Sequence, residues 1–378
     1  MRFIHTADWH LGRFFHGSHL TAEQGEILLK ELLPLAISEK AEALVIAGDI
    51  YDRGVPPVDA VELFDEVLAK FSEANIKVIG IAGNHDSPGR VDFGRRLFAG
   101  AGIYLRGKLE KDMAPVTFED EYGAVDFYLV PYFDALTVRD IFGGENLDKD
   151  AAYDVLLANL LQSKNRSVAL IHDFIAGGIS SDSERPLAVA GGGNVSPEHF
   201  ARFNYTALGH LHNPQKAGGE NIRYSGSLMK YSFDEWEQKK GVVLVDIDGA
   251  GEVRTEFFAL KSRRDVRRIK GSFQEILENR ERYPKSDDYL EFILTDKVII
   301  PNSMQRLREI FPNAMLLSYD SVFEQQAASI KGQQALKKSE ENLFAQFYLD
   351  TMGHEMSAEE AALFAEVIAE VRREEREG

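Results

Sequence analysis

The sequence predicts an α/β protein whose chemistry sits at the carboxyl ends of its strands. Two observations carry that prediction. Short apolar or β-branched runs, at Phe3 to Ala7, Ala43 to Ala47, Lys77 to Ala82, Val168 to Ile171 and Tyr205 to Leu208, each lead into Asp, Asn or His. Stretches with apolar residues at helical spacing lie between several of them. Open α/β sheets gather ligands at strand carboxyl ends, where loops leave the sheet and polar groups are no longer needed for pairing.

The first strand delivers Asp8-Trp9-His10 into a loop with Gly12 and Gly17. Residues two apart on an extended chain point to the same side, so a carboxylate and an imidazole can converge on one ion. A helix is expected from Thr21 to Lys40, and the strand after it ends in Gly48-Asp49-Ile50-Tyr51-Asp52-Arg53-Gly54, with a second carboxylate one turn beyond the first. Pro56-Pro57 precedes an amphipathic helix, Val58 to Asn75, with Val61, Phe64, Leu68 and Phe71 on one face. That face reads first as packing against a sheet and second as an oligomer interface. The next strand ends in Gly83-Asn84-His85-Asp86, where glycine permits a tight turn, Asn84 offers a carbonyl oxygen and His85 can point at the same centre.

Arg90 to Ala99 reads as a short helix, Asp126 to Tyr132 as a strand and Ala151 to Leu161 as helical. The strand Val168 to Ile171 runs into His172-Asp173, in which Asp173 faces either the metal or solvent. A Gly- and Ser-rich loop follows from Gly177 to Gly193, and Tyr205 to Leu208 leads into Gly209-His210-Leu211-His212, a chelating pair at a strand end. His5, His16, His19, His199 and His354 read as ordinary core or surface residues. Further strands are expected at Ile222 to Ser225, Val242 to Asp248 and Thr255 to Leu260.

The run Lys261 to Lys270 is dense in Arg and Lys and marks a domain boundary, either a solvated linker or a phosphate-contacting strip. Beyond it, a helix-like Phe273 to Arg282 and strands Tyr289 to Thr295 and Ala314 to Tyr319 suffice for a small α+β unit. Gln325 to Lys338 reads as a linker. The tail reads as a helical hairpin: Ser339 starts one helix, Gly353 ends it, and Ser357 with Glu360 forms a capping box for another reaching about Arg373. The expected division is a catalytic domain at 1–262, a capping domain at 263–325, and a linker with a C-terminal helical segment at 326–378.

With 378 residues, one large domain with smaller ones is the natural organisation. Zero cysteines exclude disulfides and thiolate metal sites. No apolar run approaches the roughly 20 residues of a membrane span, and strand-like sequence at Arg2 leaves no room for a signal peptide, so a cytoplasmic location is expected. The net charge of −18 opposes a polyanionic substrate. Screening over about 8 Å at physiological salt, and a metal pair, would each soften that repulsion locally.

Asp8, His10, Asp49, Asn84, His172, His210 and His212 are all oxygen or nitrogen donors at strand ends. They are too many for one ion and suit two ions sharing a carboxylate, the arrangement that clamps attacking and leaving oxygens in phosphoryl displacement. The donors fit Mn²⁺ or a similar ion, with Zn²⁺ and Fe²⁺ also admitted by imidazole. His85 is then free to protonate the leaving oxygen.

In order and spacing, these motifs resemble the calcineurin-like metallophosphoesterases. Asp182-Ser183-Glu184-Arg185-Pro186-Leu187 and the Phe344 to Glu360 tail are similar to the SbcD family within it, the nuclease subunits of bacterial SbcC–SbcD complexes. The resemblance implies an α/β/β/α sandwich with a small α+β capping domain and a C-terminal helical hairpin. It implies one Mn²⁺ held by Asp8, His10, Asp49 and His212, and a second held by Asp49, Asn84, His172 and His210. It further implies a homodimer through helices 58–75 and 90–99, and docking of residues 339–376 on an SbcC-type coiled-coil ATPase. The implied activity is 3′ to 5′ exonuclease and single-strand or hairpin endonuclease cleavage of DNA, in end processing and double-strand break repair. Asp52 or Asp86 is expected to orient His85, and Arg53, Arg263 and Arg264 are candidates for substrate phosphate.

Two rival readings remain at this point. A phosphomonoesterase or phosphoprotein phosphatase looks alike at Asp49, Asp52 and Arg53, but Asp86 stands here where phosphoprotein phosphatases typically carry Glu, and such enzymes have no need of the 261–378 extension. The other is a scaffold that bridges DNA ends and activates an ATPase, with hydrolysis secondary.

Overall fold

The computed structural model describes residues 1–145, 147–160, 163–184, 195–283, 287–320, 348, 356–357 and 360–364. Strand β1 (Arg2–Thr6) is followed by a short hairpin, β2 (Phe14–Phe15) and β3 (Ser18–His19). The helix expected from Thr21 is a continuous run of Thr21–Glu26, a π-helical turn at Ile27–Leu32, and Leu33–Ser38. Next come β4 (Ala43–Ala47), the helix Val58–Glu73, β5 (Lys77–Ile81) and β6 (Ile103–Arg106). The chain then forms β7 (Val116–Asp120), β8 (Gly123–Val130), the helix Lys149–Asn159, β9 (Arg166–His172) and β10 (Tyr205–Gly209). It continues through β11 (Gln215–Gly219), β12 (Ile222–Tyr224), β13 (Gly241–Ile247) and β14 (Val253–Ala259).

These strands make two six-stranded sheets, ordered β14-β13-β1-β4-β5-β6 and β11-β12-β10-β9-β8-β7. Side-chain alternation along a strand divides each sheet between two cores. Phe3, Val45, Ala47, Ile79 and Ile81 of the first sheet share a core with Phe127, Leu129, Val168, Leu170 and Ala207 of the second. On its other face the first sheet presents Ile4, Leu44, Ile46 and Val78 to Leu28, Leu63, Val67 and Phe71 of the helices. The second presents Val130, Ala169, Ile171 and Leu208 to Tyr153 and Leu156. The result is the four-layered α/β/β/α sandwich. Because the central parallel strands are covered on both faces, they read in sequence as unbroken apolar runs.

Arg90 to Ala99 is not one helix. Gly94, at φ 72°, separates Pro88–Val91 from Arg95–Phe98. The basic run 261–270 is no free linker either, since its second half is β15 (Val266–Gly271). There Arg267 pairs with Asp288 and Arg268 with Glu291, both at 2.5 Å. With β16 (Tyr289–Leu294) and β17 (Ala314–Tyr319), β15 forms a three-stranded sheet.

The described chain divides into two compact units. The first comprises Met1–Lys270, Leu277–Phe292 and Asn302–Leu317; the second takes Gly271–Ile276, Ile293–Pro301 and the described residues from Ser318. Within the second, Phe273 N donates to Asp296 at 2.7 Å and Thr295 N to the Gly271 carbonyl at 3.0 Å. The linker at 325–338, His354 and most of the expected hairpin lie outside the described residues. Its capping box is seen: Ser357 N donates to Glu360 at 2.8 Å and Glu360 N to Ser357 Oγ at 3.3 Å. No helix of the described residues is long and apolar enough to cross a membrane.

Candidate metal centre

Five strand ends meet at one place. Asp8 follows β1, Asp49 follows β4, Asn84 follows β5, His172 closes β9, and His210 and His212 follow β10. The two sheets approach there closely enough to demand glycine. A Cβ on Gly209 would lie 1.8 Å from the Ala47 carbonyl oxygen, and one on Gly48 would lie 2.2 Å from His172 Nδ1. Asp8, His10, Asp49 and His210 hold φ values of 52°, 46°, 50° and 104°. Such conformations cost non-glycine residues about 1–3 kcal/mol each and cluster where function requires a fixed side-chain direction.

Asp49 is the hub. Its Oδ1 accepts from His85 N at 2.9 Å. Its Oδ2 lies 3.6 Å from His10 Nε2, 3.5 Å from His172 Nε2 and 3.9 Å from His85 Nε2. The Asp8 carboxylate accepts from His210 N at 3.0 and 3.1 Å, and the His210 ring stands edge-on to His172 with centroids 5.6 Å apart.

The donor set fits divalent ions on three observations. His172 Nδ1 donates to the Ala47 carbonyl at 2.8 Å, so Nε2 carries the lone pair when the ring is neutral, yet Asn84 Oδ1, another acceptor, faces it at 3.0 Å. His10 Nε2 and His212 Nε2 face each other at 3.1 Å. Two nitrogens each about 2.1 Å from one ion stand roughly 3.0–3.4 Å apart. Finally, among the described residues, no hydrogen-bond partner reaches the buried His10 Nδ1. Asp8 with His10 and His212, and Asp8 with Asp49 and His172, each bring three ligand atoms within 4.8 Å of one another.

Burial and the ligands' own charges pull their protonation in opposite directions. Burial lifts the Asp8 carboxyl to about 7, against the pull of His172 and His212. Burial opposes the charge on His172, but Asp49 outweighs it and raises that imidazole to about 9. His210 is pushed down to about 3 by burial and by the charge of His172. Ion binding must displace the protons that Asp8 and His172 hold.

Comparison with known proteins gives the family. A sequence profile described as calcineurin-like phosphoesterase matches residues 1–214, and one described as type 5 capsule protein repressor C-terminal domain, SbcD_C, matches residues 262–351. The chain is similar to the SbcD polypeptide of the nuclease SbcCD from Staphylococcus epidermidis, 30% identical over 362 residues, covering 94% of this chain and 95% of the relative. It is 30% identical over 379 residues to the polypeptide of the same name from Staphylococcus saprophyticus, covering 99% of each. The chain belongs to the SbcD family of calcineurin-like phosphoesterases.

In this SbcD-family chain, several expected roles shift. His85 Nδ1 donates to the main-chain carbonyl of Asp52 at 2.8 Å, while the Asp52 carboxylate takes Arg13 at 3.2 Å. The carboxylate of Asp86 accepts from Ile50, Tyr51 and Gly83 N at 3.0, 2.8 and 2.9 Å, so it fastens two ligand loops together instead of orienting the imidazole. Asp173 does not face solvent: it is buried, 2.9 Å from Lys149 Nζ and 3.0 Å from the Tyr153 hydroxyl. The Arg264 guanidinium pairs with Glu23 and lies over the Tyr289 ring. Arg53 and Arg263 are exposed.

The residues behind His212 went unseen in the sequence. Ser183 Oγ stands 2.6 Å from His212 Nδ1, Glu184 accepts from His212 N at 2.7 Å, and the buried Glu235 pairs with Lys240 at 2.6 Å. Only Ser183 and Glu184 carried a signal, as part of the loop motif Asp182 to Leu187. Arg13 was also missed; besides Asp52 it donates to the Ser183 carbonyl at 3.3 Å.

Proposed function

We propose that this chain is a Mn²⁺-dependent DNA nuclease, a phosphodiesterase subunit that works beside an SbcC-type coiled-coil ATPase in processing DNA ends and repairing double-strand breaks. The observation that supports this most is the convergence of donors from both sheets on Asp49 Oδ2, with His85 Nε2 beside them. Asp8, His10, Asp49 and His212 would hold one ion, and Asp49, Asn84, His172 and His210 the other. When bound, such ions supply an acidified water as nucleophile and neutralise phosphate charge.

The chain's own residues supply the rest. His85, with Nδ1–H committed to the Asp52 carbonyl, presents Nε2 to the centre; as the imidazolium it would give the Nε2 proton to the leaving oxygen and return to the neutral ring. Arg13, braced by Asp52 and Ser183, and the exposed Arg53 contact the phosphate chain. Cleavage would be 3′ to 5′ on duplex ends and endonucleolytic on single strands and hairpins.

The domain boundaries proposed are 1–262, 263–325 and 326–378, with 339–376 docking on the ATPase. A homodimer through helix 58–75 and the segment 90–99 is favoured by the exposed Val58, Phe93 and Leu97, which are 74%, 78% and 82% exposed, and by a groove of about 410 Å³ lined by Phe64, Leu68, Phe93 and Phe98. Exposed apolar patches of this kind mark interaction surfaces.

The test is cleavage of end-labelled duplex and circular single-stranded DNA in Mn²⁺, Mg²⁺ or chelator. Metal-dependent cutting of both is expected. Hydrolysis of a small phosphomonoester without any DNA cleavage would replace this reading with a phosphatase.

A further inference from the structure

We infer that Glu235, balanced by Lys240 and linked through Ser183, is a positioning residue that keeps the ring proton of His212 on Nδ1 and thereby sets the affinity of one of two metal sites. The inference rests on the metal-binding reading above and assigns the control of that binding to residues outside the ligand set.

Hydrogen-bond direction fixes the tautomer. Ser183 Oγ donates to Glu235 Oε1, so its hydroxyl proton is spent and its lone pairs face His212 Nδ1 at 2.6 Å. Glu235 Oε1 itself lies 3.3 Å from the same nitrogen. An ionised carboxylate can only accept, so both neighbours of Nδ1 are acceptors and the ring proton belongs there. Nε2 is left bare, and it is Nε2 that faces His10 across 3.1 Å. Removing these acceptors would let the proton move to Nε2 and block the ligand.

Glu235 is fully buried and needs a counter-charge. Lys240 Nζ provides it at 2.6 Å from Oε2, and also donates to the His212 carbonyl at 2.6 Å and to Ser227 Oγ at 2.9 Å. Lys240 thus holds the main chain of His212 while Glu235 holds its ring. Neither group touches the reacting centre. A carboxylate paired with lysine stays ionised and acceptor-only, which is what the tautomer requires.

The test is titration of the full chain with Mn²⁺ by calorimetry, together with thermal unfolding in chelator. The variants are Ser183→Ala, Glu235→Gln and the double substitution Glu235→Leu/Lys240→Met. The double substitution removes both charges at once, since replacing a buried pair with apolar groups is often neutral for stability. Glu235→Gln puts an amide that donates as well as accepts where the tautomer requires an acceptor, and is expected to weaken one site as the other variants do. Ser183→Ala and the double variant are expected to weaken one site by about 10–100-fold, leave the other unchanged, and unfold in chelator at the wild-type temperature. Two wild-type affinities in the double variant would overturn the inference alone. Weakening of both sites in proportion to lost thermal stability would also overturn it, by reducing the pair to a structural role. No Mn²⁺ binding by the wild type would overturn the metal-binding reading together with it.

Discussion

Oδ2 of Asp49 lies 3.5 Å from Nε2 of His172, although the two residues belong to different sheets. Since the same oxygen is 3.6 Å from His10 Nε2, it lies within reach of both proposed ions. Asp49→Asn keeps the shape and removes the charge. Both ions are expected to bind more than about 100-fold more weakly, beyond the 10–100-fold typical of outer-shell partners. Calorimetric titration with Mn²⁺ checks this, and the loss of a single site would count against a shared carboxylate.

His85 is expected to act on the leaving oxygen without holding an ion. His85→Asn should therefore bind Mn²⁺ as the wild type does, while kcat on DNA falls by about 10²–10⁴-fold with KM little changed. Single-turnover cleavage on pre-loaded enzyme measures the step directly. A kcat within about tenfold of wild type would remove the imidazole from the chemistry.

Gly83 tests the closeness of the loops. A Cβ there would lie 2.1 Å from Asp49 Oδ1 and 2.4 Å from Asp49 N. Gly83→Ala should shift Asp49 and weaken ion binding, whereas Gly100→Ala, where none of the described residues comes within 4 Å of the added Cβ, should leave it unchanged. Equal titrations for both variants would mean that the Asp49 loop can move aside.

Away from the centre, hydrogen bonds from Arg166 hold the Asp120 carboxyl well below the usual carboxylate range, and both side chains are buried. A depressed folded-state pKa contributes stability that is complete above the unfolded value, about 3.9, and is lost as pH falls from there through the folded value. Asp120→Asn should cost about 1.5–3 kcal/mol at neutral pH, and the gap to wild type should narrow below about pH 4. Urea unfolding at several pH values checks the sign. A gap that widens on acidification would contradict it.

Residues such as Asp49 and Asn84 were legible because each follows a strand buried on both faces, and such strands announce themselves as unbroken apolar runs. The same logic made the four central layers readable. The edge strands β6, β7 and β11 were not, because one-sided burial leaves a mixed pattern such as Ile103-Tyr104-Leu105-Arg106, buried only at alternate residues. Arg264 looked like a free cation in a basic run, and only the fold brings Glu23 to it across 241 positions. Lys149 and Asp173 were hidden for the same reason, as polar residues that find each other only after folding. Glu235 and Lys240 sit in an unremarkable polar stretch whose burial no local pattern signals.

The most direct measurement is anomalous X-ray scattering from crystals of the full chain grown with Mn²⁺. Two peaks are predicted at the strand ends, both within coordinating reach of Asp49, one flanked by His10 and His212 and the other by Asn84 and His172. A single peak there, or two that do not share Asp49, would contradict the shared-carboxylate centre.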